Sequence, residues 1–141
     1  PAVLFALAAG LDAVDGVVAR ATDSVSELGA RLDTELDGLT VLLGTLYVVT
    51  AELVPAVFLT VSVARYAFVL GIAVRTRRGL AVDELPPSQL RRLLGGLAMG
   101  TIWFALLPIS GPAVSRSVAL VVLVPFFVNF SRDWLAVSGR L

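Results

Sequence analysis

Four aspartates near the start of the chain have spacings that suit metal binding or proton transfer. Asp12 and Asp15 are three residues apart, and Asp33 and Asp37 are four apart. Residues at these separations project from one face of a helix, so two facing helices would bring all four carboxylates together. Without a cation such a cluster would repel itself and tend to stay protonated. The spacing therefore predicts one or two divalent cations bound between these side chains.

The composition restricts the chemistry to oxygen ligands. The chain has no His, no Cys and no Lys, so it cannot form a Ser-His-Asp triad, an imidazole base, a Schiff base or a His-rich zinc site. Carboxylate oxygens select hard cations such as Mg²⁺, Mn²⁺ or Ca²⁺. We expect Mg²⁺ or Mn²⁺ at the aspartates, and proton transfer by a carboxylate.

The rest of the chain is apolar enough for a bilayer. Of its 141 residues 57% are hydrophobic, and the mean hydropathy is +0.91, well above a soluble domain. Eleven acidic residues balance eleven arginines, so no basic surface predicts a nucleic-acid partner. Placing an acidic side chain inside the membrane costs roughly several kcal/mol of free energy, so such residues usually mark functional sites.

The elements that must position the aspartates are predicted to be membrane-spanning helices. We predict an all-α polytopic bundle forming one domain over residues 1–141. Its spans cover about 1–20, 32–49, 53–74, 93–109 and 114–130. Most arginines fall on the side that holds the aspartates, which by the positive-inside rule faces the cytoplasm. We therefore expect an integral protein of a prokaryotic cytoplasmic membrane, with its active site facing the cytoplasm.

The aspartates belong to a longer pattern. It is D-x-x-D-G-x-x-A-R, then eight residues, then G-x-x-x-D-x-x-x-D. The pattern resembles the signature of the CDP-alcohol phosphotransferase family, integral membrane enzymes that make phospholipids. The fixed positions are Asp12, Asp15, Gly16, Ala19, Arg20, Gly29, Asp33 and Asp37. Members of this family usually have six membrane spans, so the resemblance implies a first span upstream of Pro1. The family is also similar to proteins known to form homodimers, so the resemblance implies a homodimer.

The resemblance also implies roles for these positions. Asp12, Asp15 and Asp33 would be metal ligands, and Asp37 would activate the acceptor hydroxyl while also lying near the metals. The CDP moiety would be bound by the small residues and the arginine of the motif: Gly16, Ala19, Arg20 and Gly29. The implied reaction is metal-dependent transfer of a phosphatidyl-type group from a CDP-activated lipid, such as CDP-diacylglycerol, to an alcohol, with release of CMP.

The acidic residues could also serve a purpose other than catalysis, in one of two ways. In the first, they are helix-end residues in water, paired with Arg20 and Arg31. In the second, they line a cation or proton transport pathway, as intramembrane acids do in transporters. The feature that discriminates is the Gly16-x-x-Ala19-Arg20 segment, which a nucleotide site needs and a cation pathway does not.

Four arginines outside the motif are candidates for binding the acceptor. Arg65 lies within the third predicted span, and three others flank the loop that follows it: Arg75, Arg91 and Arg92. Guanidinium groups bind phosphate through paired hydrogen bonds, so we predict that these arginines surround a cavity beside Asp37. The acceptor would then be a phosphorylated alcohol, glycerol 3-phosphate or inositol phosphate. An alternative interpretation is equally well supported. In it, the arginines other than Arg65 only determine the membrane topology, and the acceptor is an unphosphorylated alcohol.

Overall fold

The computed structural model describes residues 1–21, 27–85 and 87–139. Within helices it leaves out the side chains of Asp12, Ala13, Asp15, Gly16, Ala19, Arg20, Ala21, Glu27, Ala30 and Arg31. Every regular element in the described ranges is helical, which confirms the all-α prediction for this part of the chain. The elements are α1 (Ala2–Ala21), α2 (Glu27–Thr50), a short 3-10 helix (Ala56–Phe58), α3 (Leu59–Arg77), α4 (Gln89–Leu106) and α5 (Pro112–Val137).

Local sequence explains where several helices start and stop. The hydroxyl of Ser88 accepts a hydrogen bond from the Arg91 N–H and so caps α4. Pro112 occupies the first turn of α5, where its missing N–H costs nothing. Gly79 follows α3 in the left-handed region (φ 66°), and the Leu80 N–H donates to the Arg75 carbonyl, as in a Schellman motif. These ends fix which side chains reach the two ends of the bundle.

Helices α2 to α5 all extend beyond the predicted spans on the side of the motif, and the extensions of α4 and α5 bear on the site. Because Ser88 caps it, α4 begins at Gln89 and includes Arg91 and Arg92 in its first turn. Helix α5 continues to Val137, where the sequence suggested that a span ends near residue 130. The extra turns of α5 pack on α3, with the Trp134 ring against the Cα of Gly71. Both extensions add polar residues to the helix ends near the motif.

The densest packing lies at the end of the bundle away from the motif. Helix α4 packs on α5, on α2 and on α1, and α2 also packs on α1 and α3. The buried core consists of Ala2, Val48, Val54, Phe58, Val61, Ala98, Ile102, Ala105, Leu106, Ala119 and Leu123. Phe58 and Ile102 are fully buried. This core joins the C-terminal halves of α2 and α4 to the N-terminal half of α5.

Two helical segments of the described chain are long and apolar enough to cross a membrane. They are Ala56–Arg77, with a mean hydropathy of 2.0, and Pro112–Val137, with 1.9. Both overlap predicted spans, about 53–74 and 114–130. Helix α1 begins with a shorter apolar stretch, Ala2–Leu11. The other three spans stay predictions.

Candidate active site

Helix α2 positions the second half of the aspartate motif. Gly29 lies in its first turn, and Asp33 and Asp37 follow at one-turn intervals along the same face. All three residues are exposed. Neither carboxylate forms an ion pair with any arginine whose side chain the structure describes. Within this part of the chain, both carboxylates therefore keep their oxygens available for a ligand.

The first half of the motif lies on α1, which packs on α2. The backbone of the C-terminal half of α1 is helical through these positions. Their side chains lie outside the described part of the structure: Asp12, Asp15, Gly16, Ala19 and Arg20. The predicted convergence of four carboxylates therefore stays a prediction. Among the side chains that the structure describes, no group of three or more acidic residues is arranged to hold a metal ion.

The described part of the motif nevertheless fits a hard cation. Asp33 and Asp37 offer only carboxylate oxygens, which Mg²⁺ and Mn²⁺ prefer. Asp37 also lies within electrostatic range of Asp33. Two neighbouring carboxylates that repel each other and have no ion-pair partner among the described residues are the arrangement that a divalent cation stabilises.

Arg65 reaches α2 from the middle of α3 and lies beside Asp37. Its Nη2 donates to Glu35 Oε1 at 2.8 Å. Its Nε lies over Gly38, where a Cβ would come within 2.9 Å of that atom. Only a glycine at this position lets the guanidinium group pack so close to the α2 backbone. Arg65, an arginine within a predicted span, thus has a carboxylate partner that the sequence did not suggest.

The Nε atom of Arg65 has unused hydrogen-bonding capacity. It is buried, and no acceptor bonds to it among the described residues. The Arg65 side chain as a whole is one-third exposed, and its charge acts on Asp37. A donor that is buried without a partner is costly, so the close packing of this edge on Gly38 has a cost in stability, while the exposed part of the side chain contributes its charge to the cavity.

A cavity of about 650 Å³ opens beside Asp37, between α2, α3, α4 and α5. Its charged lining residues are Asp37, Arg65, Arg91, Arg92 and Asp133. Most of the remaining wall is apolar, including Phe68, Phe126 and Phe130, whose rings pack edge to face or stack. The volume is in the range of small-molecule sites. The structure thus brings three of the four candidate arginines together with Asp37.

Arg75, the fourth candidate, does not line this cavity. Its Nη2 donates to the Ala81 carbonyl at 2.7 Å and to the Ser138 carbonyl at 3.3 Å. The Asp83 N–H donates to the Val137 carbonyl at 3.1 Å. Arg75 thus ties the loop after α3 to the end of α5. The guanidinium group points to these carbonyls because an arginine at a helix end readily satisfies carbonyls that lack partners.

The loop that Arg75 holds contributes directly to the cavity. Leu85, two residues after Asp83, is one of the lining residues. The α3–α4 loop therefore closes part of the cavity at the end of the bundle where the motif lies.

Two further cavity residues were not predicted from the sequence. Asn129 Nδ2 donates to Asp133 Oδ2 at 3.0 Å, and Arg91 Nε lies 3.7 Å from the same oxygen. Asn129 is buried, and the Asp133 side chain is 18% exposed. A usable signal was present: the two are one turn apart in an apolar segment, and polar residues in such segments usually face the bundle interior. Glu35 gave no comparable signal, because only the position of Arg65 explains it.

Comparison with known proteins identifies the family. A sequence model described as CDP-alcohol phosphatidyltransferase matches residues 1–135. The chain therefore belongs to the CDP-alcohol phosphatidyltransferase family, which confirms the resemblance of the motif. No curated protein and no solved structure matches it.

Membership sets the general activity. The family comprises transferases that act on CDP-alcohols in phospholipid synthesis and generally depend on divalent metals. Together with the two long apolar helices, it indicates a membrane protein. A transferase family is also evidence against the transport pathway as the purpose of the aspartates.

Proposed function

We propose that this protein transfers a phosphatidyl-type group from a CDP-activated lipid to a phosphorylated alcohol, releasing CMP. The observation that supports the phosphorylated acceptor is the cavity in which Asp37 lies with Arg65, Arg91 and Arg92. Arg65 and Arg91 each have a carboxylate near them. No described carboxylate forms an ion pair with Arg92, so Arg92 is the arginine best suited to the acceptor phosphate.

In this proposal Asp37 acts on the acceptor hydroxyl. The hydroxyl oxygen attacks the β-phosphorus of the CDP-lipid, the bond to CMP breaks, and the hydroxyl proton passes to the Asp37 carboxylate. Arg92 and the first turn of α4 hold the acceptor phosphate, since guanidinium groups and helix N-termini both favour phosphate. Arg65 also lines the cavity and adds a positive charge beside Asp37.

A divalent cation at Asp12, Asp15, Asp33 and Asp37 would neutralise the diphosphate oxygens and align the attacking and leaving oxygens. We expect CDP binding to the purified protein to require Mg²⁺ or Mn²⁺, because the aspartates and the diphosphate repel each other otherwise. Titration of CDP with and without EDTA measures this requirement. Equal affinity in both conditions would contradict the metal assignment.

The apolar wall of the cavity suits a membrane setting. The site lies at the end of the bundle where most arginines are found, which we propose faces the cytoplasm. Water-soluble acceptor and CDP then approach from that side, while the acyl chains of the donor stay among the apolar helix faces. A homodimer remains a prediction from the family.

The experiment is acceptor-dependent release of CMP from CDP-diacylglycerol by purified protein in detergent or vesicles. Glycerol 3-phosphate and inositol 1-phosphate are compared with glycerol, inositol and serine. We expect turnover with a phosphorylated acceptor only. Arg92→Gln should raise the acceptor KM at least tenfold, as for the loss of a charge-assisted hydrogen bond. The control is Arg132→Gln, an exposed arginine outside the cavity. Turnover with unphosphorylated alcohols alone would contradict the proposal.

A further inference from the structure

The polar cluster Asn129–Asp133–Arg91 lies in the cavity, and two of its members, Asn129 and Asp133, have no part in the phosphate or proton chemistry described above. Asp133 Oδ2 is occupied by the Asn129 amide and the Arg91 guanidinium group. Asp133 Oδ1 has no hydrogen-bond partner among the described residues. The same side chain lines the cavity and remains 18% exposed. One carboxylate oxygen is therefore fixed and the other is open to a ligand.

The chemistry of this oxygen indicates what it can bind. A carboxylate oxygen accepts hydrogen bonds and does not donate them. It would repel the acceptor phosphate and the diphosphate of the donor, so it needs a neutral donor group. In an alcohol acceptor that group is a hydroxyl. Because Asn129 donates to Oδ2 and Arg91 Nε lies 3.7 Å from the same oxygen, the carboxylate is positioned before the acceptor arrives.

The charges of the cavity separate a region suited to the acceptor phosphate from a region suited to an acceptor hydroxyl group. Arg92 and Arg65 supply positive groups beside Asp37, whereas Asp133 supplies a negative group on α5. A phosphorylated alcohol with a single hydroxyl would use the arginines and Asp37 and leave Asp133 facing carbon. An acceptor with a second hydroxyl satisfies all of them.

We propose that Asp133, positioned by Asn129 and Arg91, binds a hydroxyl of the acceptor other than the one that attacks, so that the acceptor is a phosphorylated polyol. This inference rests on the proposed function and adds the specificity-determining residue to it. Asp133 takes no proton in the reaction.

The test combines a change in the acceptor with a change in the protein. The acceptors are paired: glycerol 3-phosphate with 3-hydroxypropyl phosphate, and inositol 1-phosphate with its analogue lacking the hydroxyl next to the reacting one. CMP release gives kcat/KM for each member of a pair. In the unchanged protein we expect the polyol of the active pair to be preferred by about 10-fold to 100-fold, the range for a hydrogen bond to a charged group.

Asp133→Asn should lower kcat/KM for the polyol by about the same factor and bring the preference close to 1. Glu84→Gln, an exposed carboxylate in the α3–α4 loop, is the matched control and should keep the full preference. A purely structural role of Asp133 in joining α4 to α5 would lower both acceptors of a pair equally. The ratio therefore distinguishes recognition from stability.

The outcomes are separable. If phosphorylated acceptors react but the unchanged protein uses each deoxy analogue as well as its polyol, this inference is wrong and the proposed function stands. An unaltered preference in Asp133→Asn also overturns it. If that variant does not fold, Asn129→Ala, which frees the Asp133 carboxylate, should reduce the preference. Absence of turnover with every phosphorylated acceptor overturns both proposals.

Discussion

The two ends of the bundle are built from the same helices but differ in what packs against α2. Away from the motif, Gly44 faces the Phe5 ring and the Ile102 side chain, and a Cβ there would lie 2.6 Å and 3.0 Å from their nearest atoms. On the motif side, Gly38 faces the guanidinium group of Arg65. The same device, a glycine that admits a close neighbour, thus serves apolar packing at one end and a charged group at the other.

Stability and chemistry are divided along the bundle. The buried apolar core is centred at the Gly44 end, while the charged residues of the cavity lie at the Gly38 end, and Val61 and Ala98 belong to both. A cavity lined by polar side chains is less closely packed than an apolar core, and the open volume can hold a ligand. We therefore expect substitutions at the two ends to separate loss of activity from loss of stability.

The largest expected effect is at the cavity end. Asp37→Asn keeps the size of the side chain but cannot accept a proton, so turnover should fall by about 10²-fold to 10⁴-fold. CDP binding should be retained, because Asp12, Asp15 and Asp33 are the proposed metal ligands that remain, and the thermal midpoint should stay close to that of the unchanged protein. The measurement is CMP release at saturating substrates, with Glu84→Gln as control. Near-normal turnover of Asp37→Asn would show that another group takes the proton.

The opposite pattern is expected from the packed core. Ile102 is fully buried between helices, and Ile102→Ala should lower the free energy of unfolding by about 2–5 kcal/mol through the cavity that it leaves. Denaturant unfolding in detergent measures this loss. The folded fraction should keep its kcat and acceptor KM, because Ile102 does not line the cavity. A change in acceptor preference would break the proposed division.

The two glycines give a matched pair on one helix. Gly44→Ala forces a methyl group against Phe5 and Ile102, and we expect about 1–3 kcal/mol of destabilisation from overpacking. Gly38→Ala meets the flexible Arg65 side chain, which can move away. It should cost less stability but raise the acceptor KM several-fold, because Arg65 leaves its place beside Asp37. Equal changes in unfolding and in KM for both variants would contradict a division between the two ends.

The smallest effect is expected at Arg75. Arg75→Gln removes hydrogen bonds to Ala81 and Ser138, so the α3–α4 loop should loosen and stability should fall by about 1 kcal/mol. Its acceptor KM should change far less than that of Arg92→Gln. Steady-state kinetics of the two variants side by side measures the difference. An equal rise in the acceptor KM of both variants would indicate that Arg75 also binds the acceptor phosphate.

The sequence by itself determined the family, the helical fold and the part of the site whose residues are related by the helical repeat. Asp33 and Asp37 share a face because a helix returns to the same side every four residues, and α2 shows them so. The grouping of Arg65, Arg91 and Arg92 near Asp37 was also predictable, since helical rise and the short α3–α4 loop bring them to one end of the bundle.

Only the tertiary structure decided which arginine does what. Arg75 and Arg65 are both long cations on α3, yet one satisfies loop carbonyls and the other packs over Gly38 and pairs with Glu35. The cluster of Asn129, Asp133 and Arg91 likewise depends on how α4 and α5 pack. These pairings join residues far apart in sequence, and no local spacing rule contains the rotation of one helix against another. Side-chain partners across helices are therefore fixed by packing, after the sequence has fixed the helices.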